Sequence, residues 1–479
     1  MSALTTHNLS LIDALPPEWP IDLLPFIRDE IARSPYKIVI LDDDPTGTQT
    51  ISDLPVLTHW SEEALSAELC SKYQAFFILT NSRSLSVNQA ISLTKEIATN
   101  LGKASEATGV GCLVISRSDS TLRGHFPAEV DAFARTMGKE NLPYLILPFF
   151  LEGGRYTIDD VHYVRDQDQL IPAAQTPFAR DAVFGFSHSN LKEWVEEKTG
   201  GKIPAAEVTS ITINDIRLGG PSKVAKILSA VSRGSACIVN AACYRDIEVI
   251  VAALLMVEKD GKEFLYRTAA SFVRTRTGLD HQTKLLSRTE LAIDNHHGGL
   301  FIIGSYVEKT SLQLKSLLAK TQVKAIEVEV TALLDPVLSQ KEIARVAVNA
   351  SESLAAGEDT VIFTSRKLIV GEGAKTSLAI GQTVSDSLIA ITWAISIQPR
   401  YLVAKGGITS SDIATKGLGT RRAMVLGQAM PGVPVWRLGP ETRYPGMAYI
   451  IFPGNVGEDD ALVCLQKKLE TGNTVEKRF

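Results

Sequence analysis

Three consecutive carboxylates, Asp42, Asp43 and Asp44, close an apolar run and open the turn Pro45-Thr46-Gly47-Thr48. Adjacent like charges beside a core repel, so unless they are solvated turn residues they need cations, donors or a metal nearby. Two chemistries suit them: one aspartate could accept a hydroxyl proton, and another could hold magnesium through oxygen. Further polar clusters stand at Asn81-Ser82-Arg83-Ser84 and at Ser116-Arg117-Ser118-Asp119-Ser120-Thr121-Leu122-Arg123-Gly124. Arginine offers a planar fork to a carboxylate, while Ser, Asn and Asp pair with sugar hydroxyls. Arg83, Arg117 and Arg123 therefore suit a small polyhydroxy carboxylate; the plainer reading is surface arginines in weak salt bridges.

Each cluster ends a short run of buried-strand character. Ile38–Leu41, Ala75–Thr80, Cys112–Ile115 and Tyr144–Leu147 are apolar and rich in branched or aromatic residues. Helical spacing separates them, in 61–72 behind Ser61 as N-cap, 87–101 and 126–137. Strands alternating with helices mean βαβ units and a parallel sheet, and right-handed crossovers gather the strand ends on one edge. One edge of a first domain, residues 37–282, should thus collect carboxylates, arginines and hydroxyls. Residues 1–36 are rich in proline and read as an extension of short helices. The polar stretch 156–168 suits a hairpin or lid, and 262–280, with Arg267, Arg274 and Arg276, reads as the approach to a boundary.

After a polar linker at 283–299, a second α/β series begins. Strands are expected at 300–303, 325–330, 360–364, 401–404, 433–437 and 449–452, with helices at 310–319, 343–356, 385–396 and from about Ile413. Turns with glycine follow three of these strands: Gly304-Ser305-Tyr306, Lys405-Gly406-Gly407-Ile408-Thr409, and Gly454-Asn455-Val456-Gly457. Glycine lets backbone N–H groups approach an anion, and helix N-termini favour negative charge. Tight strand–helix packing explains any one turn; three on one edge favour a phosphate-bearing ligand. Neither a P-loop nor a well-placed dinucleotide fingerprint is present. The fold expected is α/β, with two Rossmann-like three-layer domains of mostly parallel sheet facing each other across a cleft. Phosphoryl transfer between a sugar-acid edge and a phosphate edge follows, a reaction that rests mainly on positioning and electrostatics.

Composition narrows the classes. With 479 residues, 45% hydrophobic and 22% charged, the chain has the make-up of a soluble protein of two or three domains. A formal net charge of -5 argues against nucleic-acid binding. The 5 cysteines are scattered without a C-x-x-C pair, which speaks against disulfides and structural zinc and for a reducing cytoplasm. No secretory signal and no run of about 20 apolar residues is visible, so no membrane partner is expected. His296-His297 reads as a turn.

Asp42-x-Asp44-x-Thr46 after a strand also fits the start of haloacid-dehalogenase-type phosphatases. That chemistry needs a later Lys and an acidic pair at strand ends, and no convincing pair follows within the first 260 residues (Asp159-Asp160 follows a polar loop).

Taken together, DDDPTGTQT, TNSRS, SRSDSTLRGHFPAE, PFFLEGGRYTIDDVHYV, GGITSSDIA and FPGNVGEDDAL occur in an order that resembles the four-carbon acid sugar kinases. The resemblance spans nearly the whole chain from Lys37. It implies an N-terminal acid-sugar domain, a C-terminal ATP domain, and phosphorylation of a terminal hydroxyl of a tetronate-type acid with ATP and magnesium. On matching positions it places Asp42, Asp43, Thr46, Gly47, Arg83, Asp119, Ser120, Thr121 and Arg123 at the acid. It places Ser305, Gly406, Gly407, Ile408, Thr409 and Gly454 at the nucleotide. Asp44, Asn81, Ser82, Arg117, Ser118 and Gly124 join the first set as neighbours, and Lys405, Asn455 and Gly457 the second. Asp42, Asp43 and Asp119 are the catalytic candidates, with no metal ligand singled out. Typical members have D-D-F-T-G and GGET where this chain has Asp43-Asp44-Pro45-Thr46-Gly47 and GGIT. The substrate therefore stays open among threonate, erythronate, a 3-oxo-tetronate and a branched acid such as 3-oxo-isoapionate. A non-catalytic sugar-acid sensor on the same fold is the alternative from another class, and a homodimer is a possible assembly.

Overall fold

Ile38, Val39 and Ile40 are at most 4% exposed, as a strand covered on both faces requires. In the computed structural model they form the middle of a parallel sheet. The structure describes residues 7–280, 284–293, 295–305, 307–365, 374–454 and 456–470. The chain divides into two compact units, Met1–Gln282 and Thr283–Phe479.

In the first unit the strands are β1 (His7–Asn8), β2 (Tyr36–Asp42), β3 (Pro55–Leu57), β4 (Ala75–Leu79), β5 (Gly111–Arg117), β6 (Tyr144–Leu147), β7 (Arg155–Ile158), β8 (Val161–Asp166), β9 (Gln169–Pro172), β10 (Thr209–Ile211), β11 (Ala236–Val239) and β12 (Leu265–Thr268). The parallel sheet runs β10-β11-β6-β12-β5-β2-β4-β3. Strand order reverses between β2 and β5, because β4 lies on the other side of β2. Ligand crevices open at such a switch point, beyond the carboxyl ends. Asp42 and Arg117 are register partners at that spot.

Helices Glu62–Leu69 and Val87–Thr108 cover one face through Leu65, Leu69, Ile97 and Leu101, packed on Val39, Phe76 and Ile78. Ser61 caps the first, and Ser86 with Gln89 forms a capping box on the second. The segment 262–280 holds more than a boundary: Leu265–Thr268 is β12, paired with both β5 and β6 in the interior of the sheet. Its brevity and its Arg267 hid it from periodicity, which needs longer runs. The 156–168 stretch belongs to a separate antiparallel sheet, β1-β9-β8-β7. The helix Leu24–Arg33 packs on helix Tyr244–Lys259, with Glu248 accepting from the Leu23 amide at 3.0 Å.

The second unit contains β13 (Leu300–Ile303), β14 (Lys324–Val328), β15 (Thr360–Thr364), β16 (Leu402–Lys405), β17 (Arg422–Met430), β18 (Val433–Leu438) and β19 (Ala448–Phe452), in the order β17-β18-β19-β16-β13-β15-β14. The β16-β13-β15-β14 part is parallel, β19 joins it parallel to β16, and β17-β18-β19 is an antiparallel meander. β17 was not anticipated; its glycine and its weak alternation blur a period of two. The helix expected from Ile413 starts at Gly407 and continues as a π-helical turn over Ile413–Gly417. Part of the polar stretch at 283–299 packs into this unit, burying Leu286 and Leu291 in its core.

Candidate active site

Parallel pairing of β2 with β4 and β5 puts Asp42–Asp44, Asn81–Ser84 and Arg117–Gly124 at one edge. Asp42 is 1% exposed, and Arg117 Nη1 lies 3.1 Å from its Oδ1. A Cβ on Gly47 would fall 2.0 Å from the Asp42 carboxylate, so only glycine closes the Pro45–Thr50 turn over it. Burial pushes Asp42 up to about 7 against the pull of Arg117. Asp44 caps the turn by accepting from the Thr46 amide at 2.7 Å and from its hydroxyl at 2.6 Å. Burial alone would raise Asp44, but the Arg83 guanidinium beside it and those Thr46 bonds outweigh it and hold it low.

Arg83 is the hub. It pairs with Asp44, approaches Asp43 Oδ1 at 3.2 Å through Nε, and lies 3.7 Å from Asp119. Asp119 accepts from Thr121 and, at 2.7 Å, from Arg123 Nε. Burial works against its charge, yet Arg83 and Arg123 keep it well below the usual carboxylate range. Asp43 differs: burial raises it, and both of its carboxylate oxygens are buried without a hydrogen-bond donor. Gly124, at φ +118, lets its loop approach, a Cβ there lying 3.4 Å from Asp43 Oδ2.

Not every expected residue faces a ligand. Ser82 is fully buried; its hydroxyl receives the Thr80 hydroxyl and its carbonyl meets His125 Nε2 at 3.1 Å, so it holds the loop. Asn81 contributes a left-handed backbone, φ 49. Thr121 is 2% exposed and serves Asp119, while Ser118 and Ser120 are nearly as buried, at 9% and 8%. The arginines are paired within the protein rather than lying open. Sequence reasoning missed Arg155, Phe178 and Asp181, which adjoin Arg123, and Arg267 and Glu129. Arg123 and Arg155 lie 5.0 and 5.7 Å from the Phe178 ring, and Asp181 is 3.6 Å from Arg123. Arg267 is fully buried and donates to the Asp119 and Arg123 carbonyls at 2.9 and 3.2 Å. Arg155 and Glu129 stood inside recognised motifs; the others gave no sequence signal. A narrow cavity of about 60 Å³, lined at its polar end by Asp43, Thr80, Ser82 and Glu129, lies behind the cluster. It has room for a few water molecules.

In the second unit β13, β16 and β19 are neighbours, which brings the turns after them together. A Cβ on Gly304 would meet Thr409 Oγ1 at 2.6 Å, and one on Gly406, at φ +114, would meet Ser305 Cβ at 3.1 Å. Gly454 faces Ser305 at 3.7 Å by the same measure. Gly407, Ile408 and Thr409 begin a helix, where the first amides have no carbonyl of their own. Gly407 is open around its α-carbon, and the Ile408 side chain is 62% exposed. Lys405 is fully buried, its ammonium bonded to the Pro453 carbonyl at 2.8 Å and 4.1 Å from the Phe452 ring centre. Burial lowers it to about 7. Lys405 thus props the next turn instead of reaching outward. Gly457, at φ +82, packs against Ala461, and Asn455 lies outside the described residues. Thr310 and Gln313, also unanticipated, hold this loop: Thr310 Oγ1 donates to the Gly454 carbonyl, and Gln313 Nε2 to the carbonyls of Val456, Gly457 and Glu458.

The model of a sugar-binding N-terminal domain matches residues 38–276, and that of a nucleotide-binding C-terminal domain matches residues 300–462. The chain belongs to the four-carbon acid sugar kinase family. Its relatives include a D-erythronate kinase of Heliobacterium modesticaldum, 25% identical over 375 residues and covering 75% of each chain. They also include a D-threonate kinase of Bordetella bronchiseptica, 31% identical over 165 residues, 33% of this chain and 38% of that one. The crystal structure of a Haemophilus influenzae protein shares the fold, with a TM-score of 0.62 at 17% identity, covering 90% of this kinase and 100% of that chain. Among the described residues, no helix of the kinase is long and apolar enough to cross a membrane.

Proposed function

We propose that this kinase uses ATP to phosphorylate a terminal hydroxyl of a four-carbon acid sugar: erythronate, threonate or a 3-oxo-tetronate. The observation that carries the reading is Asp43. It is a buried carboxylate whose oxygens lack donors, set among arginines at the switch point of the sheet. The names of the two curated relatives support the substrate class.

In this reading Asp43 accepts the proton of the attacking hydroxyl, since Asp42 already accepts from Arg117 and the Asp44 amide beneath Gly47, and Asp119 is held by Arg83, Arg123 and Thr121. The burial of Asp42 also speaks against its use as a phosphatase nucleophile. Arg83 and Arg117 keep Asp43 in place and offset the negative charge gathered there. The first-turn amides of Gly407–Thr409 suit the nucleotide's phosphates. Among the described residues no group of three His, Cys, Asp or Glu side chains is arranged to hold a metal. Magnesium would be carried by the nucleotide's phosphates and water, with a carboxylate other than Asp43 completing its shell, and would neutralise phosphate charge.

A coupled ADP-release assay across D-erythronate, D-threonate and their 3-oxo relatives tests this. At least one acid should turn over, and Asp43→Asn should lower kcat by roughly 100-fold or more in a folded protein. ADP release with none of these acids would refute the proposal, and near-normal turnover by the Asn variant would remove Asp43 from its role.

A further inference from the structure

Each arginine expected to greet the substrate is already matched. Arg83 faces Asp43, Asp44 and Asp119; Arg117 faces Asp42 and Asp43; Arg123 faces Asp119 and Asp181. An anionic ligand entering there would meet carboxylates already balanced by these cations, with little positive charge to spare. Arg267 cannot supply it, being fully buried and bonded to loop carbonyls.

Arg155 is different. It opens β7 directly off the carboxyl end of β6, on the same sheet edge. Phe150 and Arg155 exchange both backbone hydrogen bonds, at 3.1 and 2.9 Å, and Gly154 at φ +68 makes the tight return possible. The backbone beneath the guanidinium is therefore rigid. The guanidinium lies over the Phe178 ring that also carries Arg123. It makes no ion pair among the described residues, and its Nε is buried without an acceptor. Asp119 and Arg123 are close enough to act on it electrostatically. A partly desolvated cation that feels Asp119 but makes no direct ion pair, beside a site for small polar ligands, is completed by an incoming anion.

We propose that Arg155, on the platform it shares with Arg123, takes the carboxylate of the sugar acid and so selects acids over neutral polyols. The inference rests on the kinase reading above and names the group that recognises the acid.

Steady-state kinetics of wild type, Arg155→Met, Arg155→Lys and Phe178→Leu with the best tetronate, with erythritol and with ATP test it, with Arg165→Met, an exposed arginine on β8, as control. Arg155→Met should raise the KM for the acid by roughly 10- to 100-fold while the KM for ATP stays within about twofold. Preference over erythritol should fall by a similar factor. Arg155→Lys should recover part of the loss, and Phe178→Leu should cost a few-fold. Thermal-shift binding of the acid without ATP gives the same ranking if turnover is too slow to read. An unchanged KM for the acid in Arg155→Met, or a parallel rise in the KM for ATP, would overturn the inference and leave the kinase reading standing. Failure of wild type to phosphorylate any four-carbon acid would overturn both.

Discussion

At the scale of single residues, the carboxylates of this site have been driven apart in character by their neighbours. Asp44 and Asp119 are held ionised by guanidiniums, while Asp42, Asp43 and Glu129 are pushed toward neutrality by burial. Glu129 rises to about 7, chiefly by burial, with the Ser82 hydroxyl opposing and Asp43 adding to it. A carboxyl whose folded value exceeds its unfolded one binds its proton more tightly when folded. Its contribution to stability is therefore complete below about pH 4.5, the unfolded value, and is lost as the pH climbs to about 7. Glu129→Gln should make urea stability fall less between pH 5 and pH 8 than in wild type, by on the order of 1 kcal/mol. Identical slopes for the two proteins would show that Glu129 is not so perturbed. The cluster of Asp and Arg types was legible in the chain because charge beside apolar strands is costly. Which Asp is sealed was not legible, since that depends on where Gly47 lies over Asp42.

At the scale of elements, loops are positioned by side chains from helices distant in sequence. Helix Glu308–Lys320 sends Gln313 to three successive carbonyls of the loop after β19, with Nε2 3.0, 3.2 and 2.9 Å from Val456, Gly457 and Glu458. Losing these bonds to part-buried carbonyls costs roughly 0.5–1.5 kcal/mol each. Gln313→Leu should lower the melting temperature by several degrees and raise the KM for ATP about tenfold with little change in kcat. An unaltered KM for ATP would mean that this loop does not serve the nucleotide. The glycines of the three turns were readable because glycine directly after an apolar strand stands out in the chain. Thr310 and Gln313 were not, because on a helix they look like ordinary polar positions. The short β12 escaped for a related reason: Leu265–Thr268 pairs on both sides, and that double pairing substitutes for length.

At the scale of the molecule, the proposed function gives the two units separate duties. Arg83→Lys keeps the charge but loses the fork that ties Asp43, Asp44 and Asp119 together, so by disordering the acid site it should abolish most of the thermal shift produced by the acid and leave that produced by ADP intact. Gly406→Val, at a backbone of φ +114, should do the reverse. Loss of both shifts in either variant would contradict the division. The alternation of apolar runs with helical stretches, and the abrupt polar ends of those runs, determined by sequence alone that the chain is α/β with polar clusters at strand ends, since a buried parallel strand leaves no other signature. The motif order likewise carried the family. Only the tertiary structure decided that Arg83, Arg117 and Arg123 are matched internally and that Arg155 and Glu129 lie beside the Asp and Arg cluster. Ion pairing and burial are properties of neighbours brought together across the sheet, and no spacing along a chain encodes them.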